Sequence, residues 1–314
     1  MKYILSYLSF ILPQEKKQKF SFNFSRFERM YLKQSLISYD DKTVKKCNSK
    51  YRLFICGSDQ IWAPNVFDPI YFLSFVDYEK PKIAYAPSIG LDRIPKELEV
   101  DYCNLLRRFD CLSVREEKGA ELIKNICGLN AKVVLDPTLL LEDKEWLKLS
   151  VDPKIEGDYI FAYFLGDNKT HRDSVKWLAD RLNCKIVSIS QYDLDREMTD
   201  YVVKYAGPRE FLGYIKNAKI IVTDSFHGTV FSIIFRKNFY VFERFSNTDK
   251  ICQNSRIYNI LNKTNLIDRI IKFDGYINNH IHEINYNDVY KLLEAERLNS
   301  ITYLKDSISK YLNN

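Results

Sequence analysis

No stretch of this 314-residue chain approaches the roughly 20 consecutive apolar residues that cross a bilayer. The seven cysteines, at 47, 56, 103, 111, 127, 184 and 252, contain no Cys-x-x-Cys pair. Their odd number and irregular spacing predict reduced, buried thiols in a cytoplasmic protein rather than a disulfide framework or a zinc site. Lysine and arginine never gather into a dense stripe, so a net charge of +6 favours anionic ligands or an anionic surface but not nucleic acid. A Walker loop, a Gly-x-Gly-x-x-Gly turn and a hydrolase nucleophile elbow are all missing. Internal repeats and low-complexity segments are missing too, and glycine (10), proline (9) and histidine (4) are scarce.

What remains describes a folded protein. Hydrophobic residues make up 46% and charged residues of both signs 28%, enough for one large domain or two medium lobes with their own cores. Tyrosine (22) and phenylalanine (20) are abundant, which suits sugar-handling proteins but equally accompanies AT-rich coding. The opening stretch MKYILSYLSFILP has one early lysine and no small-residue cleavage site, so it does not read as a signal peptide. Followed by QEKKQK, it predicts either a short helix resting on an anionic membrane surface or an ordinary helix packed on the core.

Strand-like and helix-like segments alternate along the chain. YRLFIC (51–56), KIAYAPSIG (82–90), FDCLSV (109–114) and AKVVLDP (131–137) predict strands, with a helix over REEKGAELIKNI that stops near Gly128. After the polar stretch LEDKEWLKLSVDPKIEGD the rhythm resumes. DYIFAYFLG, CKIVSIS, KIIVTD and NFYVFE predict strands; KTHRDSVKWLADRL, GPREFLGYIKNA and SFHGTVFSIIF predict helices. Alternation of this kind implies parallel sheets covered by helices on both faces. The pattern predicts two Rossmann-like lobes facing a cleft, over 1–143 and 144–280, and a long amphipathic helix over 281–314 that packs back on them.

Ligands in such sheets bind at the carboxyl ends of the strands. That rule singles out Gly57, Ser58, Asp59 and Gln60, then Ser88 and Gly90, then Arg115 and Glu116, Asp136 and Pro137, and the run from Asp224 to Gly228. In TDSFHG, Ser225 reads as a helix N-cap, so the positive end of the helix would face an anion. His227 lies in that first turn. The helix end favours its neutral ring and a bound anion favours the charged one, so it can exchange a proton with a ligand. The competing reading is a buried histidine hydrogen-bonded to a neighbouring strand. Gly228 marks a place where something approaches closely. The pair Asp193 and Asp195 forms an Asp-x-Asp that could hold a cation, but it sits in a polar segment and reads as a solvated loop. No metal or cofactor is expected.

FICGSDQIW (54–62), IAYAPSIG (83–90), FDCLSVREEKGAEL (109–122), VVLDPTLLL (133–141), the segment 207–235 ending in VTDSFHGTVFSIIF, and NSRIYNIL (254–261) together resemble the polysaccharide pyruvyl transferase family. The pieces occur in that family's order across most of residues 50–262. The resemblance implies lobes similar to those of two-lobed, GT-B-like glycosyltransferases. It also implies a cytoplasmic enzyme that moves an enolpyruvyl-derived group from phosphoenolpyruvate to two hydroxyls of a free or lipid-linked saccharide, as in capsule or exopolysaccharide synthesis. The family histidine falls on His227 and the arginine of its Ser-Val-Arg-Glu motif on Arg115. Family members similar to this chain usually open with a strand and a Gly-Asn or Asn-Tyr-Gly loop, so the first lobe is expected to be abbreviated.

Phosphoenolpyruvate bears a phosphate and a carboxylate, which calls for fixed cations and N–H donors. Arg115 is the first candidate, Arg256 the second and Lys118 the third, alongside Ser225 and Gly228; each charge could instead decorate a helix surface. Asp224 or Asp59 would partner His227, unless they only cap the following turns. Gly57, Ser58, Asp59, Gln60, Ser88 and Gly90 would line the acceptor side. Two alternatives stay open: a glycosyltransferase using a sugar nucleotide, and a degenerate scaffold subunit of a polysaccharide assembly complex.

Overall fold

The computed structural model describes residues 14–312 except 247, 250 and 278–281, and describes no side chain for residues 14–21 and 312. The stretch MKYILSYLSFILP, with its expected membrane or core contact, lies outside the described residues. Among the described residues, no helix is long and apolar enough to cross a membrane.

The strands, in chain order, are β1 (Phe54–Cys56), β2 (Lys82–Ala84), β3 (Ser113–Val114), β4 (Lys132–Val133), β5 (Tyr159–Tyr163), β6 (Lys185–Ser188), β7 (Tyr201–Val202), β8 (Ile220–Thr223), β9 (Asn238–Phe242) and β10 (Ile270–Ile271). They fall into two compact units, one of residues 1–36, 142–244 and 268–284, the other of 37–141, 245–267 and 285–314. The break expected at 143 falls at 141–142. Two segments, 1–36 and 245–267, join a different unit from the one their sequence position suggested, because alternation along a chain does not say which sheet a segment docks on. The described part of 1–36 is one of them: its helix Gln14–Tyr31 sends the Asn23 amide to the Tyr205 carbonyl at 2.5 Å.

The unit around 142–244 holds a six-stranded sheet in the order β10-β9-β8-β5-β6-β7, parallel throughout. Its central strands YIFAY and IIVT are apolar and buried on both faces, as parallel strands under two helical layers must be. Ile160, Ala162 and Phe164 point into a core with Val175, Leu178 and Val222. Phe161, on the alternate face, stacks on Tyr214 and meets Phe211 edge-on. The polar stretch expected as a plain boundary contains a short helix, Asp143–Leu149, whose Trp146 meets Phe231.

In that core sits His171, fully buried, its ring 4.2 Å from that of Phe242 and its Nε2–H donating to the Phe273 carbonyl at 3.0 Å. Burial pushes its pKa down to about 4. An unfolded chain takes up that proton near pH 6.5, so between about 6.5 and 4 the unfolded state binds more protons than the folded one. Stability should therefore fall as the pH drops through this window, by up to roughly 3 kcal/mol from this group, and not change above it. Urea midpoints measured from pH 7 to 4 should show the slope, and His171→Phe should flatten it.

The other unit pairs β1 with β2 and β3 with β4, all parallel, and a bridge between Ile83 and Cys111 ties the pairs together. Its core is aromatic, with Trp62 stacked on Phe72 at 5.0 Å and Phe72 edge-on to Tyr102. The long helix Tyr286–Leu312 belongs here: Ser300 accepts from Leu135 N, Tyr303 donates to the Ala84 carbonyl and Arg297 to that of Leu139. Cys103 and Cys127 form a disulfide between the helices Lys96–Leu106 and Glu117–Cys127, which corrects the expectation of reduced thiols throughout. Two residues on separate helices meet only once the helices pack, so their spacing carried no sign of it.

Candidate functional site

From Ile220 to Ile234 every residue is buried except His227, which is half-buried. The run follows from local chemistry. β8 ends where the Thr223 hydroxyl donates to the Tyr163 carbonyl at 2.6 Å and accepts from Ser225 N at 3.0 Å. Ser225 then caps the helix Phe226–Ile234, its hydroxyl accepting from Gly228 N at 3.3 Å. A Cβ on Gly228 would lie 2.5 Å from Thr223 Oγ1. The close approach expected at Gly228 is therefore made by the chain's own Thr223. A fully buried ring bonded to a neighbouring segment is found at His171, while His227 is half-buried.

The connections β5-β6-β7 run one way from β5, and β8-β9-β10 run the other. Such a reversal between neighbouring parallel strands opens a crevice at their carboxyl ends. Asp224 spans it. Its carboxylate, 1% exposed, accepts from Leu165 N and Gly166 N, both at 2.8 Å, which joins the end of β8 to the end of β5. Arg244, just past β9, donates to the Asp224 carbonyl at 2.9 Å, with its Nη2 3.5 Å from Oδ1. A Cβ on Gly166 would meet Arg244 Cγ at 2.9 Å, so the glycine leaves room for the arginine stem. Asp224, expected as a proton partner of His227, joins the strand ends across this crevice. Gly166 and Arg244 went unnoticed in the sequence, although both follow strands by the rule that picked out His227.

In the other unit, the carboxyl ends of β1, β3 and β4 gather a charged cluster. Arg115 is 2% exposed; its Nε donates to Glu116 at 2.8 Å, and its Nη1 donates to Asp136 at 2.8 Å and lies 3.6 Å from Asp59. Burial alone would oppose the charge, but the carboxylates of Glu116, Asp136 and Asp59 outweigh it and hold the guanidinium charged. Two nitrogens of the fork expected at Arg115, Nε and Nη1, are thus engaged by carboxylates of its own unit, and Arg115 is not a helix-surface charge. Ser58 donates to Asp136 at 3.0 Å and to the Ala86 carbonyl at 2.8 Å. Gly57, at φ 119°, lets the Tyr85 carbonyl lie where a Cβ would stand, 1.8 Å away.

The other expected residues fall out as follows. Gln60 donates to Gln253 at 2.9 Å and lies against Gly90, while Ser88 is fully buried. Arg256 is buried and donates to the Gln253 carbonyl and side chain. Lys118 pairs with Glu121 as a helix-surface charge. The Asp-x-Asp is not a solvated loop. Asp195 is buried against Arg172 at 2.7 Å and accepts from Gln191 N and Tyr192 N; only Asp193 is exposed. Among the described residues no group of three His, Cys, Asp or Glu side chains could hold a metal ion.

These features define an α/β protein of the GT-B-like class, with parallel sheets and a long C-terminal helix. Its fold is similar to that of the UDP-GlcNAc 2-epimerase from Methanocaldococcus jannaschii, at a TM-score of 0.50 and 14% identity, over 87% of this chain and 82% of that one. A putative UDP-N-acetylglucosamine 2-epimerase from Listeria monocytogenes aligns at a TM-score of 0.48 and 10% identity, over 89% and 77%. None of the curated proteins matches the chain in sequence. The chain belongs to the polysaccharide pyruvyl transferase family, which matches residues 7–247.

Proposed function

We propose that the protein forms a pyruvate ketal on a sugar, with phosphoenolpyruvate as donor. The observation that carries this reading is His227, left open in an otherwise buried run beside a strand-order reversal, in a chain of this family. The reaction needs one proton placed and two removed. The methylene carbon of phosphoenolpyruvate takes a proton with the electrons of its double bond. A sugar hydroxyl attacks the central carbon and gives up its own proton. A second hydroxyl then attacks the same carbon, releasing another proton while the carbon–oxygen bond to phosphate breaks, and inorganic phosphate leaves. A half-exposed histidine in the first turn of a helix can shuttle these protons, and the helix end favours the phosphate. Arg244 adds a cation at the same strand edge, 16% exposed and oriented by Asp224. The acceptor is a saccharide of a surface or capsular polysaccharide, and the work is done on the cytoplasmic side.

Phosphate release from phosphoenolpyruvate, dependent on an added glycan, tests the reading. Thermal shift adds a second arm: phosphoenolpyruvate should stabilise the protein and a sugar nucleotide should not. Stabilisation by the sugar nucleotide alone would favour a glycosyltransferase. Absence of any glycan-dependent release would favour a scaffold.

A further inference from the structure

A groove of 420 Å³ lies in the four-stranded unit, between the first turn of the helix Glu117–Cys127 and the helix Ser255–Lys263. Ser255, Tyr258, Asn259 and Asn262 line it at the i, i+3, i+4, i+7 spacing of a single helix face. The opposite face, with Arg256, Ile257, Ile260 and Leu261, is buried. Glu117 and Lys118 form the other wall, just past the carboxyl end of β3. Asn259 fixes the shape: its carbonyl accepts from Glu117 N at 3.1 Å and its amide donates to the Arg115 carbonyl at 3.2 Å.

The charges in this groove are already matched. Lys118 pairs with Glu121 at 3.0 Å, and Lys263 with Glu296 at 2.8 Å and Glu117 at 3.6 Å. A phosphate or nucleotide would have to break those pairs. What the walls offer instead is the half-buried ring of Tyr258, the Ser255 hydroxyl and the exposed Asn262 amide. An aromatic ring beside a hydroxyl and an amide suits a ligand with apolar C–H faces and many hydroxyls. We propose that the groove binds a neutral saccharide unit. The pyruvyl-transfer reading makes that unit part of the glycan acceptor; the binding itself does not depend on that reading.

Ligand-detected NMR titrations of the full chain with lactose, cellobiose and chitobiose test it, with inorganic phosphate and UDP as counter-probes. At least one disaccharide should bind at millimolar concentration. Tyr258→Ala should weaken it roughly tenfold, the loss typical of a truncated aromatic anchor, while Tyr258→Phe keeps it. Asn262→Arg changes an exposed position, so melting should stay put while binding weakens as much as in Tyr258→Ala. The proposal is overturned if no disaccharide binds the wild-type protein, or if binding survives undiminished in both Tyr258→Ala and Asn262→Arg. It is also overturned if only phosphate or UDP responds to these variants. Saccharide binding without phosphate release from phosphoenolpyruvate would leave the groove standing and remove the donor reading instead.

Discussion

His227→Gln should lower turnover by roughly 10²–10⁴-fold, the usual worth of general acid–base catalysis. Its fold should be untouched. His227 is the one residue between Ile220 and Ile234 that is not buried, and glutamine is polar, of similar reach and well tolerated in a helix. The cap from Ser225 and the packing of Gly228 on Thr223 do not involve the imidazole. Donor binding should fall far less than turnover, because the helix end and Arg244 remain. Measuring melting temperature, donor affinity and turnover on one preparation separates the outcomes. A variant that melts early yet turns over normally per folded molecule would make His227 a piece of architecture.

Arg115→Met should destabilise the four-stranded unit by about 3–5 kcal/mol, the cost of leaving buried charges without their partner. Glu116 and Asp136 are each about as buried as the arginine, and both point at it. Methionine fills much of the volume, so the loss would report the charge rather than a cavity. Arg115→Lys should fall between, since an ammonium cannot reach Glu116 and Asp136 with the two separate donors of a planar fork. Urea titration followed by fluorescence reads the change. A fully stable Arg115→Met protein with weakened donor affinity would return Arg115 to the role expected from its motif.

The alternation of strands and helices was legible because parallel strands are apolar on both faces and stop at polar residues. YIFAY before Leu165 and IIVT before Asp224 are both such strands. His227 stood out for a related reason: scarce polar residues directly after buried strands are exposed to the chemistry of the strand ends. Arg115 was visible as a charge, but a motif shows a charge without its neighbours. Its three carboxylates come from Asp59, Glu116 and Asp136, and only Glu116 adjoins it in sequence. The same holds for Asp195; its partner Arg172 lies in an earlier helix, so the pair reads as two unrelated surface charges. The close approach that Gly228 signals in the sequence is made by Thr223, a contact set by how the helix folds back on β8.

The chain enters each unit three times, and this bears on how the protein can be made and taken apart. The six-stranded unit lacks its edge strand until residues 268–284 exist, and the four-stranded unit lacks its long helix until residues 285–314 do. A ribosome must therefore deliver most of the polypeptide before either unit holds all its parts. Neither half can be excised with a single cut. A fragment ending near residue 141 would carry four short strands without the helix that Leu135, Ala84 and Leu139 bond to, and should be insoluble rather than a usable half-enzyme.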